Sequence, residues 1–501
     1  MSLQNRIDAF VQKQLKGYTP RVYRSTKVIH DSLWGTSRFY PHELVLIDSP
    51  LFQRLRQINQ TGLAFYAYPS LKHSRFEHSL GVATVVKRFF RKIKEKHQNE
   101  INGFGPLSEQ PTCGLLAEMR LAALLHDVGH GLFSHVSESI YGSFPEIAEL
   151  RKPSESNHTK PSELLTYLII TSPSFRAFFD ACVLPLVEDV SLDNIAGLIV
   201  ARASPERYFS AQIINGALDA DKIDYISRDT FYSGVSTTID VDRLFNDLSV
   251  FNYPTGKNTL VITNPTALER LLFSKVLLYA TIYHHQKVKS ADCMFEGLIE
   301  YVQETPGTRL CDYDFKDPLD FLEVTDNDLL SRATAVHEDP FISKSINNLL
   351  NRNLLQRCLV LSRETIDNYA SSVYELNRIA QSPQAIRKLR EHIVDQLPSD
   401  KKCSVHEVWV SLPQQPSLRE ASQTLVLSPL GNELSKLNDL FPLDGWLRAF
   451  SDNKWRGHVF SPPELQADIN RAARVVLQDV LGLRLNAKSS AYAHLNEEVI
   501  M

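Results

Sequence analysis

The sequence predicts a mainly helical protein, with a large helical core and a smaller mixed α+β lobe at its C-terminal end. Apolar residues recur at three- and four-residue steps over long segments, which is the spacing of one face of a helix. Strand-like runs are short and few, at Asn258–Thr263, Ser404–Leu412 and Thr424–Ser428. The composition, 43% apolar and 22% charged, is that of an ordinary globular chain.

Three helices carry this prediction in chain order. Arg75–Lys96 has an apolar stripe and ends in a basic run, and Thr112–Asp127 is mostly apolar, so we expect it to be buried. A third helix begins with Asn264 as its N-cap and Pro265 at its first position. The Pro- and Gln-bearing segment Ser411–Gln423 predicts a loop between two strands of the C-terminal lobe.

These patterns divide the 501 residues into three parts. Residues 1–26 form an N-terminal segment, residues 27–320 the core, and residues 321–501 the C-terminal helical and α+β lobe. No internal repeat or low-complexity segment is visible in the sequence.

Charge and cysteine content narrow the class of function. Lys and Arg number 54 against 58 Asp and Glu, a net charge of -4, whereas a general nucleic-acid binder is usually basic. Nucleic acid is therefore not the expected partner, and a polyanionic substrate would need a locally positive pocket. The six cysteines are scattered without a CxxC pair, which favours reduced thiols.

The sequence shows no targeting signal or membrane span. Its first residues are charged and amphipathic, without the apolar stretch of a signal peptide. No uninterrupted apolar run reaches the roughly 18 residues that a membrane helix needs. We therefore expect a cytoplasmic protein with no membrane partner.

Histidines and carboxylates are concentrated in three short segments. "HSRFEHSLGV" contains His78, and "LLHDVGHGLFSH" contains the adjacent pair His126 and Asp127, which can face one ion from a helix end. A further carboxylate could come from "NGALDADKIDYISRD". Spacing alone leaves four candidates open there, Asp219, Asp221, Asp224 and Asp229.

Such a set predicts a divalent metal with open positions for water and substrate. Mg, Mn, Fe, Zn and Ni are not distinguished by these ligands. A lone His-Asp pair is more often a surface or capping pair, so only the joint pattern indicates a metal.

The ordered motifs "VIHDSLWG", "DSPLFQRLRQINQTG", "YPSLKHSRFEHSLGV", "LLHDVGHGLFSH", "NHTKPSE" and "DADKIDYISRD" resemble the HD-domain deoxynucleoside triphosphate triphosphohydrolases. They are most similar to the catalytic core of the sterile-alpha-motif and HD-domain dNTPase and its shorter bacterial relatives. The resemblance is dense from Lys27 to Gly234, thinner to about Lys289 and weak beyond it, and it implies an HD-domain catalytic core in residues 27–320. It implies His78, His126, Asp127 and Asp221 as the metal ligands.

The resemblance also implies the reaction, which is metal-dependent hydrolysis of dNTPs, dGTP among them, to deoxynucleoside and inorganic triphosphate. It implies His135 as general acid with Glu138 as its partner, although the family usually has aspartate at that position. His130 and His158 resemble phosphate-binding histidines.

Six residues would contact the substrate. Arg75, one helical turn before His78, suits a phosphate. By resemblance, the other contacts lie at the phosphates or the sugar: Gln60 and Asp229 on the 3′-hydroxyl, Lys222 on phosphate, Tyr225 near sugar and phosphates, and His284 where a sugar-packing tyrosine is usual.

The resemblance further implies regulation by a GTP or dNTP activator bound between subunits of a homo-oligomer, a tetramer or a dimer. Lys27, Asp48, Gln53 and Arg56 stand at the positions implied for that nucleotide. The competing interpretation is that "FQRLRQI" is an ordinary amphipathic helix.

Two alternatives remain open. The first is another HD-type nucleotide phosphohydrolase or phosphodiesterase, although the "HDxxED" and "GYP" elements of two such classes are absent. The second is a nucleotide-sensing or nucleic-acid-binding protein, for which the basic run Lys87–Lys96 would be the contact.

Overall fold

Helices make up most of the computed structural model, which describes residues 1–97, 114–152, 159–237, 239–401, 403–413, 419–428 and 433–494. The helices of the first 304 residues are α1 Leu3–Leu15, α2 Pro41–Ile47, α3 Pro50–Gln53, α4 Arg75–His97, α5 Gly114–Leu125, α6 His135–Tyr141, α7 Pro145–Arg151, α8 Pro161–Ile170, α9 Pro173–Phe178, α10 Leu192–Ile199, α11 Tyr208–Ile214, α12 Ala220–Ser233, α13 Val241–Asp247, α14 Thr266–Leu278 and α15 Gln286–Glu304.

The rest of the chain mixes short helices with strands. Its helices are α16 Asp320–Glu323, α17 Asp326–Leu329, α18 Pro340–Leu350, α19 Tyr369–Ala380, α20 Pro383–Asp395, α21 Arg419–Ser422, α22 Leu437–Leu440, α23 Leu443–Lys454, α24 Gln466–Leu481 and α25 Lys488–Ala491. The predicted fold class, mainly α with a smaller mixed lobe, is confirmed.

Three small sheets complete the architecture. Strands β1 Lys27–Asp31 and β2 Gly35–Phe39 form an antiparallel hairpin. Strands β5 Gln356–Leu361, β9 Gly457–Ser461 and β6 Trp409–Ser411 form an antiparallel sheet in the order β5-β9-β6.

The third sheet joins the two halves of the chain. It has the order β3-β4-β7-β8, with strands β3 Leu248–Asn252, β4 Asn258–Ile262, β7 Leu425–Leu427 and β8 Leu434–Lys436. Its two hairpins are antiparallel, and β4 pairs with β7 in parallel. The domain boundary predicted at residue 320 stays a prediction. Strand β7, which follows that boundary in the chain, pairs with strand β4 of the core.

Among the described residues, two clusters of buried apolar side chains form the hydrophobic core. The larger one runs from Leu3 to Phe460, and the smaller one, from Cys358 to Leu483, lies in the C-terminal lobe. In the larger cluster α4 packs against both α5 and α12. These contacts bring together three helices that carry, or end beside, predicted metal ligands.

Local structure departs from the sequence expectation at two places. Helix α14 starts at Thr266 rather than at Pro265, yet Asn264 Oδ1 still accepts the Thr266 amide at 3.1 Å. Segment Ser411–Gln423 contains the short helix α21 where only a loop was expected. No single described helix has the length and apolar content of a membrane span; only the bent pair Pro161–Ile170 and Pro173–Leu186 passes that test.

Candidate active site

A cavity of about 530 Å³ opens where α4, α6, α12 and α15 approach one another. This volume is within the range of small-molecule sites. Most of the residues predicted to carry the chemistry line it: Gln60, Arg75, His126, Asp127, His130, His135, Asp221, Lys222, Tyr225, Asp229 and His284.

Three predicted metal ligands point their donor atoms at one another beside this cavity. The ligand atoms of His78, His126 and Asp221 all lie within 4.8 Å of each other. His78 Nε2 is 3.0 Å from Asp221 Oδ1 and 3.3 Å from His126 Nε2. Such a group could hold a divalent ion.

Asp127, the fourth predicted ligand, adjoins this group. Its Oδ1 lies 3.4 Å from His126 Nε2, and its Oδ2 lies 3.7 Å from His78 Nε2. Arg75 Nη1 also donates to Oδ2, at 2.6 Å. Helix α5 ends at Leu125, so His126 and Asp127 occupy the turn that follows it rather than the last helical positions of the predicted segment Thr112–Asp127.

The far side of each histidine is fixed by a second hydrogen bond. His126 Nδ1 lies 2.7 Å from the carbonyl of Ala123, and His78 Nδ1 lies 2.8 Å from Asp224 Oδ2. These contacts leave each Nε2 facing the cluster, the arrangement in which an outer partner orients a metal-bound imidazole. Although burial opposes it, hydrogen bonding to Asp221 and Asp224 raises the pKa of His78 to about 10.

Asp224 is the centre of a buried network. It accepts hydrogen bonds from Arg228 Nε and Nη2, at 2.8 and 2.9 Å, and from the indole N–H of Trp34. A Cβ at Gly81 would clash with the Asp224 carboxylate and the Arg228 guanidinium. Only glycine therefore lets α4 approach α12 this closely.

His135 and Glu138 form the pair that the sequence predicted. His135 Nδ1 lies 2.7 Å from Glu138 Oε2, and the imidazole is largely exposed toward the cavity. The amide and hydroxyl of Ser162 donate to Glu138 Oε1 at 3.0 and 2.6 Å. Against the effect of burial, these hydrogen bonds lower the pKa of Glu138 to about 2. The extra methylene of glutamate thus leaves the contact intact.

His130 is buried, and His158 lies outside the described residues. His130 Nε2 is 3.4 Å from Asp127 Oδ1, while its Nδ1 has no hydrogen-bond partner within the described ranges. Burial and the nearby Arg75 hold the pKa of His130 well below its usual value. A lowered pKa favours the neutral imidazole, and the His130 side chain lines the cavity.

The residues predicted to contact the sugar all line the cavity. Asp229 Oδ1 lies 2.8 Å from His73 Nε2, and its Oδ2 accepts the hydroxyl of Tyr283. Gln60 is buried, and its Oε1 finds no partner in the described part of the chain. Burial raises the pKa of Tyr225 well above its usual value, so its hydroxyl stays protonated.

Lys222, the lysine predicted to contact phosphate, is hydrogen-bonded to neighbouring protein groups in this structure. Lys222 Nζ donates to Gly216 O and Asp219 Oδ2, each at 2.7 Å. It still lines the cavity, as do Lys160 and Lys275. His284 also lines it, and burial lowers the pKa of this imidazole to about 3.

Several site residues were not singled out by the sequence argument. Lys160 stands inside the quoted motif "NHTKPSE", so position could have indicated it. Trp34 and Arg228 also lie in or beside quoted motifs but were assigned no role. Asp224 was one of four open aspartates, and only its place in the fold separates its structural role from that of Asp221.

The predicted activator residues lie apart from the cavity lining. The Lys27 ammonium is 4.5 Å from the centre of the Tyr23 ring, and the Tyr23 hydroxyl donates to Asp48. Gln53 Nε2 donates to the carbonyl of Ile47 at 2.7 Å, and its Oε1 accepts from Arg56 Nε at 2.7 Å. Lys27 and Asp48 therefore both contact Tyr23, and Gln53 and Arg56 are joined by a direct hydrogen bond.

Comparison with known families agrees with this geometry. Residues 75–229 match the HD domain, and residues 239–490, just over half of the chain, match the HD associated region. The chain belongs to the family of HD-domain proteins that carry this associated region. The family assignment drawn from the motifs is confirmed.

Individual relatives narrow the similarity. The deoxynucleoside triphosphate triphosphohydrolase SAMHD1 homolog of Dictyostelium discoideum is 29% identical over 361 residues, which are 70% of this chain and 64% of that protein. The human deoxynucleoside triphosphate triphosphohydrolase SAMHD1 is 30% identical over 251 residues, 46% of this chain and 38% of that protein. An uncharacterised protein of Methanocaldococcus jannaschii is 30% identical over 317 residues, 61% of this chain and 57% of that protein.

In each of these three comparisons, the match spans less than two thirds of the relative. The crystal structure of a hypothetical protein from Aquifex aeolicus shares the fold, with a TM-score of 0.61 at 23% identity. That match covers 89% of this chain and 99% of the other.

Proposed function

We propose that this protein is a metal-dependent dNTP triphosphohydrolase that releases deoxynucleoside and inorganic triphosphate, with dGTP among its substrates. One observation carries the proposal. The donor atoms of His78, His126 and Asp221 converge at the wall of a nucleotide-sized cavity that also presents His135 and several cations. The names of the SAMHD1 relatives agree with this reaction.

The donor set suits a divalent ion. Two imidazoles and two carboxylates are ligands that Mg, Mn, Fe, Zn and Ni accept in different proportions. When bound, the ion supplies a Lewis acid for the α-phosphate and lowers the pKa of a water molecule. His78, His126, Asp127 and Asp221 would hold it, and Asp224 would keep His78 oriented.

Cationic side chains would hold the triphosphate. Arg75 is buried, and two of its guanidinium nitrogens bond to Asp127 and Ser134. Its Nη2 has no hydrogen-bond partner among the described residues and belongs to a side chain that lines the cavity. Lys160 and Lys222 add two charges, and Lys222 would exchange its bond to Asp219 for a phosphate oxygen.

His135 would protonate the leaving 5′ oxygen. An exposed imidazole whose Nδ1 is held by a carboxylate can present its Nε2 proton to the substrate. Ser162 fixes Glu138 from the other side, so the imidazole is oriented before substrate binds. This pre-orientation is what general acid catalysis requires.

The sugar wall would select the deoxyribose. The Asp229 carboxylate would accept the proton of a 3′-hydroxyl, and the side-chain amide of the buried Gln60 would donate to the hydroxyl oxygen. Tyr225 would crowd the 2′ side, and His284 would pack nearby in place of a tyrosine. An added 2′-hydroxyl would then meet a wall without room for it.

We propose in addition that a GTP or dNTP activator binds at Lys27, Asp48, Gln53 and Arg56 and stabilises a homo-oligomer, a tetramer or a dimer. Lys27 and Arg56 are exposed cations, and Asp48 is a half-buried carboxylate. A triphosphate would pair with the cations, and guanine N1–H and its amino group would donate to Asp48.

The test of the proposed reaction is an incubation with each dNTP under Mg, Mn, Fe, Zn and Ni in turn. Products are separated by ion-exchange chromatography. Deoxynucleoside and triphosphate in equal amounts are expected. Release of diphosphate or monophosphate would assign the protein to another class of HD hydrolase, and no release under any metal would reject the proposal.

A further inference from the structure

Helix α15 presents a stripe of charged residues to the cavity that the proposed reaction does not use. Lys289, Asp292 and Glu296 are spaced by three and four residues, which places them on one face of the helix. All three line the cavity. Residues further along the same helix point elsewhere, since Glu300 and Glu304 pair with Arg387 of the C-terminal lobe.

The stripe has one satisfied pair and one carboxyl without a partner. Lys289 Nζ lies 3.0 Å from Asp292 Oδ2. Glu296 makes no hydrogen bond or ion pair with any described residue. Burial raises the pKa of Glu296 to about 7, with Lys289 opposing the rise. A half-buried carboxyl without a partner is partly desolvated, which costs free energy that a ligand donor would recover.

Two other buried side chains show independently that this cavity is built for a polar ligand. Gln60 is 7% exposed and Arg75 is 2% exposed, and both line the cavity. Gln60 Oε1 and Arg75 Nη2 lack hydrogen-bond partners within the described residues. Gln60 and Arg75 have proposed roles at the sugar and the phosphates, whereas the α15 stripe has no role there and is left for the remaining part of a nucleotide.

Charge decides which part of a dNTP meets the stripe. Lys289 is neutralised by its pair with Asp292, and Glu296 adds an acidic group. The stripe therefore offers the triphosphate no net positive charge, whereas Lys160 and Lys222 attract it. The base is uncharged, and its flat faces would lie against apolar lining residues such as Val136 and Val288. The polar edge of the base would then meet the stripe.

We propose that Lys289, Asp292 and Glu296 read the base of the substrate and favour guanine over thymine. This inference rests on the proposed function, because it takes a dNTP as the ligand. Along α15 the stripe presents a donor followed by two carboxyl acceptors. The Watson–Crick edge of guanine presents the complement, with O6 as acceptor and N1–H and the amino group as donors. Thymine offers a single N–H between two acceptors and cannot satisfy both carboxylates.

The experiment compares kcat/KM for dGTP and dTTP in the full chain and in two isosteric variants, Glu296→Gln and Asp292→Asn. The wild type should favour dGTP by roughly tenfold or more, the scale of one good base contact. Each variant should lower kcat/KM for dGTP by about tenfold and change that for dTTP by less than about threefold. Glu304→Gln, on the same helix but paired with Arg387, is the matched control and should leave the ratio unchanged.

The outcomes separate the two proposals. Equal wild-type rates for the two substrates, or equal losses for both in the variants, would overturn the base-reading role while leaving the hydrolase intact. If no dNTP is hydrolysed, the proposed function fails, and calorimetric binding of dGTP and dTTP to the same proteins decides the inference. Weaker binding of dGTP, but not of dTTP, to the Glu296→Gln and Asp292→Asn variants would support it, and unchanged dGTP binding would refute it.

Discussion

The residues proposed to hold the metal and those proposed to hold an activator differ in how the fold supports them. In the metal group, His78 and Asp127 are almost completely buried, and His78 is fixed from behind by Asp224. In the activator group, Lys27 and Arg56 are exposed and lie over aromatic rings, with Arg56 3.5 Å from the centre of Phe76.

This difference indicates how far the side chains of each site are positioned before a ligand binds. The metal group is pre-oriented by one chain, because each histidine has a second hydrogen bond. The residues of the activator group already contact neighbouring protein side chains and carbonyls, as surface residues usually do. A bound nucleotide would have to displace some of these contacts. The first site can therefore be tested in a single chain, and the second must be tested through nucleotide response and assembly.

The largest effect expected at the metal group comes from His126→Ala combined with Asp127→Ala. This double variant removes two proposed ligands, so bound metal and triphosphate release should both be lost. Metal analysis and ion-exchange assay measure the two quantities, and circular dichroism checks the fold. Asp193→Asn, an exposed carboxylate variant, is the control. Unchanged triphosphate release in the double variant would contradict the assignment.

The next effect separates metal binding from proton transfer. His135→Ala should lower kcat by about 10²- to 10⁴-fold, the usual scale for a general acid, while metal content is retained. Glu138→Gln keeps the size of the partner and should cause a smaller loss. A kcat close to that of the wild type in His135→Ala would assign the role to another histidine.

Pre-orientation of the metal group can be tested without touching a ligand. Gly81→Ala would push a methyl group into Asp224 and Arg228, and overpacking of this kind costs about 1–3 kcal/mol. The variant should melt at a lower temperature and bind metal more weakly. Gly445→Ala is the matched control, because its Cβ meets nothing and the helix α23 should become slightly more stable. Equal behaviour of the two variants would show that the close packing of α4 and α12 does not orient His78.

The sequence allowed different parts of the site to be predicted to different extents. The apolar pattern of Thr112–Asp127 placed His126 and Asp127 at a helix end, and periodicity gave α4 its boundaries to within one residue. Choosing Asp221 over Asp224 required the family resemblance, because both lie on the same helix three residues apart. Their roles diverge through Trp34, which lies 190 residues away in the chain and reaches Asp224 only in the fold.

The orientation of individual side chains could not be predicted from the sequence either. Lys222 has the position of a phosphate contact but bonds to Asp219, three residues before it, as the capping geometry of α12 allows. The stripe of Lys289, Asp292 and Glu296 was not predicted, because its spacing is that of many exposed helix faces. In the fold, where α15 packs against α6 and other elements, that face lines the cavity.

A smaller effect concerns the sugar wall that adjoins the metal group. GTP should be hydrolysed more slowly than dGTP, by at least roughly tenfold, because Tyr225 crowds the 2′ position while Gln60 and Asp229 hold the 3′-hydroxyl. Steady-state rates for the two nucleotides under one metal measure this ratio. Tyr225→Phe keeps the ring and should retain the discrimination, whereas Tyr225→Ala should relax it. Comparable rates for GTP and dGTP in the wild type would contradict the proposed sugar wall.

The smallest effect is expected at the activator group, where the proposal depends on a ligand and a second subunit. Asp48→Ala removes the proposed acceptor for guanine and the partner of the Tyr23 hydroxyl. Stimulation by GTP, and the nucleotide-dependent increase in mass seen by light scattering, should both be lost. The rate without activator should change little, because Asp48 does not line the cavity. Asp31 is unsuitable as a control, since it binds Arg228 in the network behind His78, so Asp8→Asn on α1 serves instead. A wild-type monomer whose rate ignores every nucleotide, and is unchanged by Asp48→Ala, would leave Lys27, Asp48, Gln53 and Arg56 as parts of an ordinary surface.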